Sequence, residues 1–313
     1  MTSPRKKASA SNTASTSLPV PLIDKRLIIA AGSKGSSGKS TILLNLVDWL
    51  RYEVPTEPSI AVFDPDGEHR TLYRALHSTA PSGGLKPPHI FETLDWRKAD
   101  ERHVVIDRIV RVLCAPAPIP KKGETLILPP CISLLDGVAN QTEDVLFWAD
   151  DAKIFDLGAE MGFRVTFLLC VDNANDTAQA AKYLVEQVGN KADYVIVRNL
   201  KMGFNQVAFD SMPIREKVLN EYGGGEITLD GYSVDVKIAC EGYKSKSGHA
   251  DSPPKSLWLA AQGDYAEADR FTMGRALNRW GQLVTQFERC RNLLLPDQHH
   301  TVLSPDEAEA AAE

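Results

Sequence analysis

Residues 26–50 read RLIIAAGSKGSSGKSTILLNLVDWL. A short apolar run stops at Gly32, a loop of glycine and serine follows, and Lys39-Ser40-Thr41 opens a segment with Ile42, Leu43, Leu46, Val47 and Leu50 at helical spacing. A buried strand that hands over to a helix through small residues is the most constraining feature of the chain. Strand and helix signals then alternate along the chain, without an internal repeat. Apolar strands are expected at 59–64, 89–93, 131–136, 164–172 and 193–199, and helices at 101–113 (with Val105, Ile109 and Val112 on one face), 142–162 and 176–189. The strands lack polar alternation and helices separate them. That pattern predicts an α/β fold: a mostly parallel central sheet with helices on both faces.

In such sheets, ligands bind beyond the carboxyl ends of the strands. The polar strand ends are Ser33–Ser40, Asp64, Asp136, Asp172 and Asn199. Past residue 200 the pattern weakens. MPIREKVLNEYGGG (212–225) suggests a helix and a glycine stop, 241–256 reads as a loop, and a last long helix is expected over about 264–292. The resulting organisation is a Ser-rich basic tail over 1–25, one domain over 26–292 and an acidic tail over 293–313. Arg5-Lys6-Lys7 in the first tail could touch an acidic surface; a solubilising role is the plainer reading.

Composition excludes several classes. The net charge is -6, so nucleic-acid binding would need a local patch. Five scattered cysteines without a Cys-x-x-Cys pair argue against a disulfide framework, a zinc ribbon or an iron–sulfur site, and suit a reducing cytoplasm. No apolar run is long enough to span a bilayer, and the basic N-terminus lacks the apolar stretch of a secretory signal.

Gly38-Lys39-Ser40, placed after a strand and opening a helix, is a phosphate-binding P-loop pattern. Small residues let backbone N–H groups point inward at phosphate oxygens, and the helix N-terminus adds its positive end. Lys39 would neutralise β/γ charge, and Ser40 would place its hydroxyl on Mg²⁺. The usual pattern has glycine five residues before Gly38; here Ser33 stands there and the glycine is Gly32.

KGSSGKST resembles the deviant P-loop of the ParA/MinD family of ATPases, with Lys34 on the family's signature lysine and Ser36 in place of its second glycine. Asn45 and Leu46 match the following helix. VFDPDG resembles the family's second-strand motif through Asp64, Pro65 and Gly67, with Val62 and Asp66 differing. SLLDGVAN resembles its Walker B strand, though Gly137 and Val138 replace the usual prolines. YVIVRN resembles its late strand. The resemblance implies a P-loop NTPase domain of SIMIBI-like architecture and an ATP site formed by Gly35, Ser36, Ser37, Gly38, Lys39, Ser40 and Thr41. It implies Asn199 at the adenine, Asp64 at the attacking water, and Asp136 on the Mg²⁺ side through water. It further implies an ATP-dependent homodimer in which Lys39 serves its own nucleotide and Lys34 the partner's, with slow hydrolysis stimulated by a partner protein.

Family members differ in what is attached. Cysteines for a cluster and a second P-loop are missing, and the acidic C-terminus argues against membrane targeting. DNA binding without sequence preference would fall to Arg270, Arg275, Arg279, Arg289 and Arg291, on a helix whose core face is expected to be Leu277, Trp280, Val284 and Phe287; Lys244 and Lys246 form a second candidate. A solvated helix surface is the competing reading. The functional expectation is a cytoplasmic Mg-ATP-dependent dimerising switch in plasmid or chromosome partition, plasmid stability or conjugation, nucleoid-associated if DNA is bound. Two alternatives stand beside it: a P-loop synthetase or kinase for a small molecule, and a nucleotide-binding scaffold with little hydrolysis.

Overall fold

The computed structural model describes residues 22–35, 37–66, 71–77, 90–93, 102–115, 130–137, 142–200, 207–241, 255–263 and 269–299. Seven strands form one sheet: β1 (Lys25–Ala31), β2 (Ile60–Asp64), β3 (Ile90–Thr93), β4 (Ile132–Asp136), β5 (Phe163–Val171), β6 (Asp193–Asn199) and β7 (Gly225–Leu229). Their order is β3-β2-β4-β1-β5-β6-β7, and every pairing is parallel. β1 lies between β4 and β5, with Ile28 opposite both Leu134 and Thr166. Connections run to both sides of β1, so its carboxyl end sits at the point where the strand order reverses.

Parallel strands need crossovers, and the crossovers supply the helices. One face of the sheet packs α1 (Lys39–Tyr52), α2 (Thr71–His77), α9 (Val234–Glu241), α10 (Leu257–Ala261) and α11 (Arg270–Arg289) over Ile28, Val62, Leu134, Leu168, Val197 and Ile227. The other face packs α3 (Arg102–Leu113), α4 (Thr142–Asp151), α5 (Ile154–Met161), α6 (Asn175–Val188), α7 (Val207–Asp210) and α8 (Ile214–Glu216, continuing as a π turn through Glu221) over Leu27, Phe63, Leu135, Val165, Phe167 and Ile196. Strand side chains alternate between two dry layers, which is why the strands read as unbroken apolar runs.

Several expectations change. The helix expected before the glycine stop is present over Ile214–Glu221, and a strand that was not expected, β7, starts at the last glycine of that stop, Gly225. It is a short edge strand in which GEITL alternates, and only Ile227 and Leu229 are fully buried. The expected helix over 142–162 is two helices: the chain breaks at Lys153, whose φ is 47°, so that α5 can turn back onto β5. The last long helix begins at Arg270, where the Asp269 carboxylate accepts from the N–H groups of Phe271 and Thr272, and it ends at Arg289; α12 (Arg291–Leu294) follows. On α11 the core face is Ala276, Trp280, Leu283 and Phe287, whereas Leu277 points to solvent, 56% exposed. Packing also continues past residue 292: Leu293, Leu294 and Leu295 are buried.

Candidate functional site

The loop after β1 runs from Gly32 to Gly38, and the structure describes all of it except Ser36. Its glycines are where the geometry needs them. A Cβ at Gly32 would meet the Ser37 hydroxyl at 2.7 Å and the Cys170 carbonyl at 3.0 Å, so the glycine sits one place earlier than the usual pattern. Gly38, with φ 98°, is the N-cap of α1, where the left-handed conformation turns the chain into the helix. Ser37 closes the loop on itself by donating its hydroxyl to the Lys34 carbonyl at 3.0 Å.

Lys39 is only 6% exposed. Its Nζ folds back into the loop and donates to the carbonyls of Lys34 (2.7 Å) and Gly32 (3.3 Å) and to the Ser37 hydroxyl (3.4 Å). All three acceptors are neutral. Burial pushes the Lys39 ammonium below its ordinary range, with Cys170, Asp136 and Asp66 opposing. A buried cation whose hydrogen-bond acceptors are all neutral is costly until an anion joins it directly.

Asp136 ends β4 beside it. Ser40 donates its hydroxyl to Asp136 Oδ2 at 2.5 Å, while Oδ1 is buried with no hydrogen-bond partner. Burial pushes this carboxyl up to about 7; the Ser40 bond opposes the shift and nearby Asp64 reinforces it. The next residue, Gly137, donates its N–H to the Ala30 carbonyl at 3.0 Å, a bond that proline could not make, so glycine here locks β4 to β1. A hydroxyl and a carboxylate with one bare oxygen fit Mg²⁺, which keeps most of its waters and takes few protein ligands. Among the described residues no cluster of three or more His, Cys, Asp or Glu offers a different metal site.

Asp64, 1% exposed, ends β2. It accepts from the N–H of Asp66 (3.2 Å) and of Tyr73 (2.8 Å), so it ties down the first turn of α2 as well as facing Asp136 electrostatically. Burial raises its pKa against those bonds. Asp172, at the end of β5, accepts from the Ala174 N–H and the Thr177 hydroxyl, both at 2.8 Å, and so fixes the start of α6. There Asp176 meets Lys34 at 3.4 Å, on the solvent side of the loop.

Asn199 ends β6 and lies over the start of α1: a Cβ on Gly38 would come within 3.0 Å of its Nδ2. Gly35, Gly38, Lys39, Ser40, Thr41 and Asn199 all border one cleft of about 490 Å³. Its far wall comes from Leu229, Tyr232, Val234 and Lys237. Those wall residues were not anticipated, because they come from the end of β7 (Leu229), the turn after it (Tyr232) and α9 (Val234 and Lys237), none of which was expected. Asn45 supports the cleft from α1, donating Nδ2 to the Thr41 carbonyl at 2.8 Å and accepting the Leu257 N–H at 3.0 Å.

The arginine helix is less basic than its sequence. Arg275 pairs with Asp235, Arg279 with Asp230 at 2.7 Å, and Arg291 is buried against Glu288 at 2.9 Å. Arg270 and Arg289 are exposed. Lys244, Lys246 and Gly67 lie outside the described residues.

No protein-family model matches the chain, and no curated protein does. Among solved structures, the chain is similar to the MinD cell division protein of Aquifex aeolicus, which aligns over 82% of this chain and 97% of its own at 13% identity and a TM-score of 0.40. At that identity and score, the reading of the site rests on this chain's own residues. Among the described residues no helix is long and apolar enough to cross a membrane.

Proposed function

We propose that the chain is a Mg-ATP-dependent switch ATPase of the ParA/MinD type. One observation carries the reading: Lys39 is a buried cation with only neutral acceptors, at a helix N-terminus, beside a carboxylate with a bare buried oxygen. A nucleoside triphosphate with its magnesium supplies both missing charges at once. Lys39 would leave the loop carbonyls for the β/γ oxygens, and the backbone N–H groups of residues 35–41 would hold the rest of the chain of phosphates. Ser40 and Asp136 would hold the metal, which when bound neutralises charge on the phosphate oxygens. The 490 Å³ cleft takes the nucleoside, with Asn199 at the base.

Lys34 lies on the outer side of the loop and, among the described residues, pairs with the exposed Asp176. From there it would reach the nucleotide of a second copy, adding a cation that arrives only on dimerisation. Asp64 would orient the attacking water. Partition, plasmid stability or conjugation is the proposed setting, with a partner protein that stimulates hydrolysis. The paired arginines of α11 leave Arg270 and Arg289 to carry any DNA contact.

The deciding experiment compares wild type with Lys34→Ala by light scattering and phosphate release in Mg-ATP and Mg-ADP. An ATP-specific dimer with slow hydrolysis, both lost in the variant, is expected. A monomer whose nucleotide binding ignores Lys34 would move the small-molecule enzyme to first place.

A further inference from the structure

The sheet face opposite α1 carries a groove that the nucleotide site does not use. α4 and α6 stand side by side there, and Phe147 and Tyr183 are 69% and 41% exposed. With Leu146, Phe155, Gln187 and Val188 they bound a groove of about 540 Å³. Two aromatic rings left in water on neighbouring helices are uncovered binding area, since burying apolar surface is worth about 25 cal/mol per Å². The α4 side of the surround is acidic: α4, α5 and their joint carry Glu143, Asp144, Asp150, Asp151, Asp156 and Glu160 against one base, Lys153, while on the α6 side Lys182 pairs with Glu186 and Lys191 lines the groove.

The chain enters the described fold at the foot of this groove. Ile23 is held by the Asp297 carboxylate, which accepts its N–H at 2.8 Å, and Asp24 donates its N–H to Gly162. Leu22, 70% exposed, therefore lies beside a second cleft of about 250 Å³, between Ile154, Gly158 and Phe163. The two clefts share Phe155 and Lys191, so they adjoin. Immediately before Leu22 the sequence is Leu18-Pro19-Val20-Pro21, a proline-spaced apolar segment of the kind that docks extended on aromatic grooves. Farther up, Arg5, Lys6 and Lys7 are the only charged side chains among residues 1–21. The stretch from Lys7 to Leu22 would span up to ~50 Å if fully extended, and α4 is only ~15 Å long, so chain length does not limit the basic cluster's access to the acidic surround.

We propose that residues 1–21 dock in cis on the α4–α6 groove. Leu18–Pro21 run from the lower cleft across Phe155 toward Phe147 and Tyr183, and Arg5–Lys7 pair with the acidic surround. Tethering favours this occupant over a separate molecule, because a segment joined a few residues away is present at millimolar effective concentration. Opposite charge adds to it. The docked segment would lie along α6, the helix whose first turn holds Lys34 through Asp176.

The test uses the full chain, with photo-reactive benzoylphenylalanine in place of Phe147, or of Tyr183 should the first variant fold poorly. Equal amounts of ¹⁴N- and ¹⁵N-labelled protein are mixed and irradiated, and the cross-linked peptides are read by mass spectrometry. The expected result is single-isotope cross-links into residues 1–21. Their yield should fall about tenfold in R5E/K6E/K7E, the effect of three exposed charge contacts. The same probe in place of Leu277, on the far face, should give none. Absence of cross-links into 1–21 in the folded protein, or equal yield from position 277, would overturn the proposal. So would mixed-isotope products, which would assign the groove to a second copy.

Discussion

The two ends of the sheet both bury charge and treat it in opposite ways. At the amino end, Arg26 is 2% exposed and uses every nitrogen of its guanidinium. Nε donates to the Leu295 carbonyl (2.8 Å), Nη1 to Asp193 (2.5 Å) and the Thr166 hydroxyl (3.1 Å), and Nη2 to the Asn292 carbonyl (2.6 Å). Arg164 takes the other Asp193 oxygen at 2.7 Å, and Thr166 donates onward to the Leu293 carbonyl at 2.7 Å. This network fastens residues 292–295 under the sheet. At the carboxyl end, Lys39 finds only neutral acceptors, and Asp136 Oδ1 and the Ser33 hydroxyl find none. Desolvating a charge costs several kcal/mol unless the protein replaces the lost water. The amino end replaces it within the chain. The carboxyl end leaves room for a ligand to do so. Between these two ends, the saturated charge is structural and the unsaturated charge faces the candidate site; bare buried atoms alone do not define a site, since Asp48 and Arg51 on α1 also carry them and do not line the cleft.

The comparison breaks most visibly at Arg26. Arg26→Met should lower the unfolding free energy by about 3–5 kcal/mol in urea titrations, while the variant that remains folded keeps its ATP affinity. Unchanged stability would remove the contrast between the two ends.

The pH dependence sharpens it from the other side. Burial pushes Asp136 up to about 7 and Asp48, inside α1, up to about 6, each from an ordinary value of 3.8. Both take up a proton on folding, so their stabilising contribution is complete below about pH 4 and is lost as pH rises through those values. Each group contributes a slope of roughly 1.4 kcal/mol per pH unit. Asp136→Asn should flatten the segment between about 6 and 7 and leave the Asp48 segment in place. Mg-ATP, which on the proposed reading needs the ionised carboxylate, should flatten the same segment in the wild type. Urea titrations across that pH range check both.

Lys39→Met should weaken ATP binding by about 2–3 kcal/mol, close to a hundredfold in Kd by calorimetry. Its unfolding free energy should hold or rise, because the variant removes an uncompensated buried charge. A large loss of stability would class Lys39 with Arg26. Asp64→Ala should cost about 1 kcal/mol, the scale of a lost helix cap, and should also cut phosphate release. An unchanged rate would leave Asp64 as a structural tie alone. The smallest effect on stability belongs to Lys34→Ala. Its exposed pairing with Asp176 is worth at most ~0.5 kcal/mol, so any larger consequence must come from a second copy's nucleotide.

Much of this was readable in one dimension. The unbroken apolar runs of β1, β4, β5 and β6 and the Gly38-Lys39-Ser40 turn locate the sheet, its parallel sense and the loop between β1 and α1, because burial on both faces and tight turns write themselves into local composition. β7 was missed because an edge strand with one buried face has a short, alternating, weak signal. With it went Leu229 and Tyr232, the outer wall of the cleft. The break at Lys153 was missed because both flanking segments keep helical spacing. Leu277 was placed inward by spacing alone, but α11 rotates to seat Trp280 against α1, where its indole N–H reaches Glu53 at 2.9 Å.

The sequence by itself determined the α/β class, the glycine-serine loop that joins β1 to α1 and the candidate residues at the strand ends, since each follows from residue type and near-neighbour order. The tertiary structure alone decided which charges are paired. Arg26 meets carbonyls more than 260 positions away, and Arg275 and Arg279 are neutralised by aspartates 40 and 49 positions off. Lys39, by contrast, meets no carboxylate among the described residues. The strength of a charge depends on what the fold brings within a few ångströms of it and how much water it removes, and neither is written in the order of the chain.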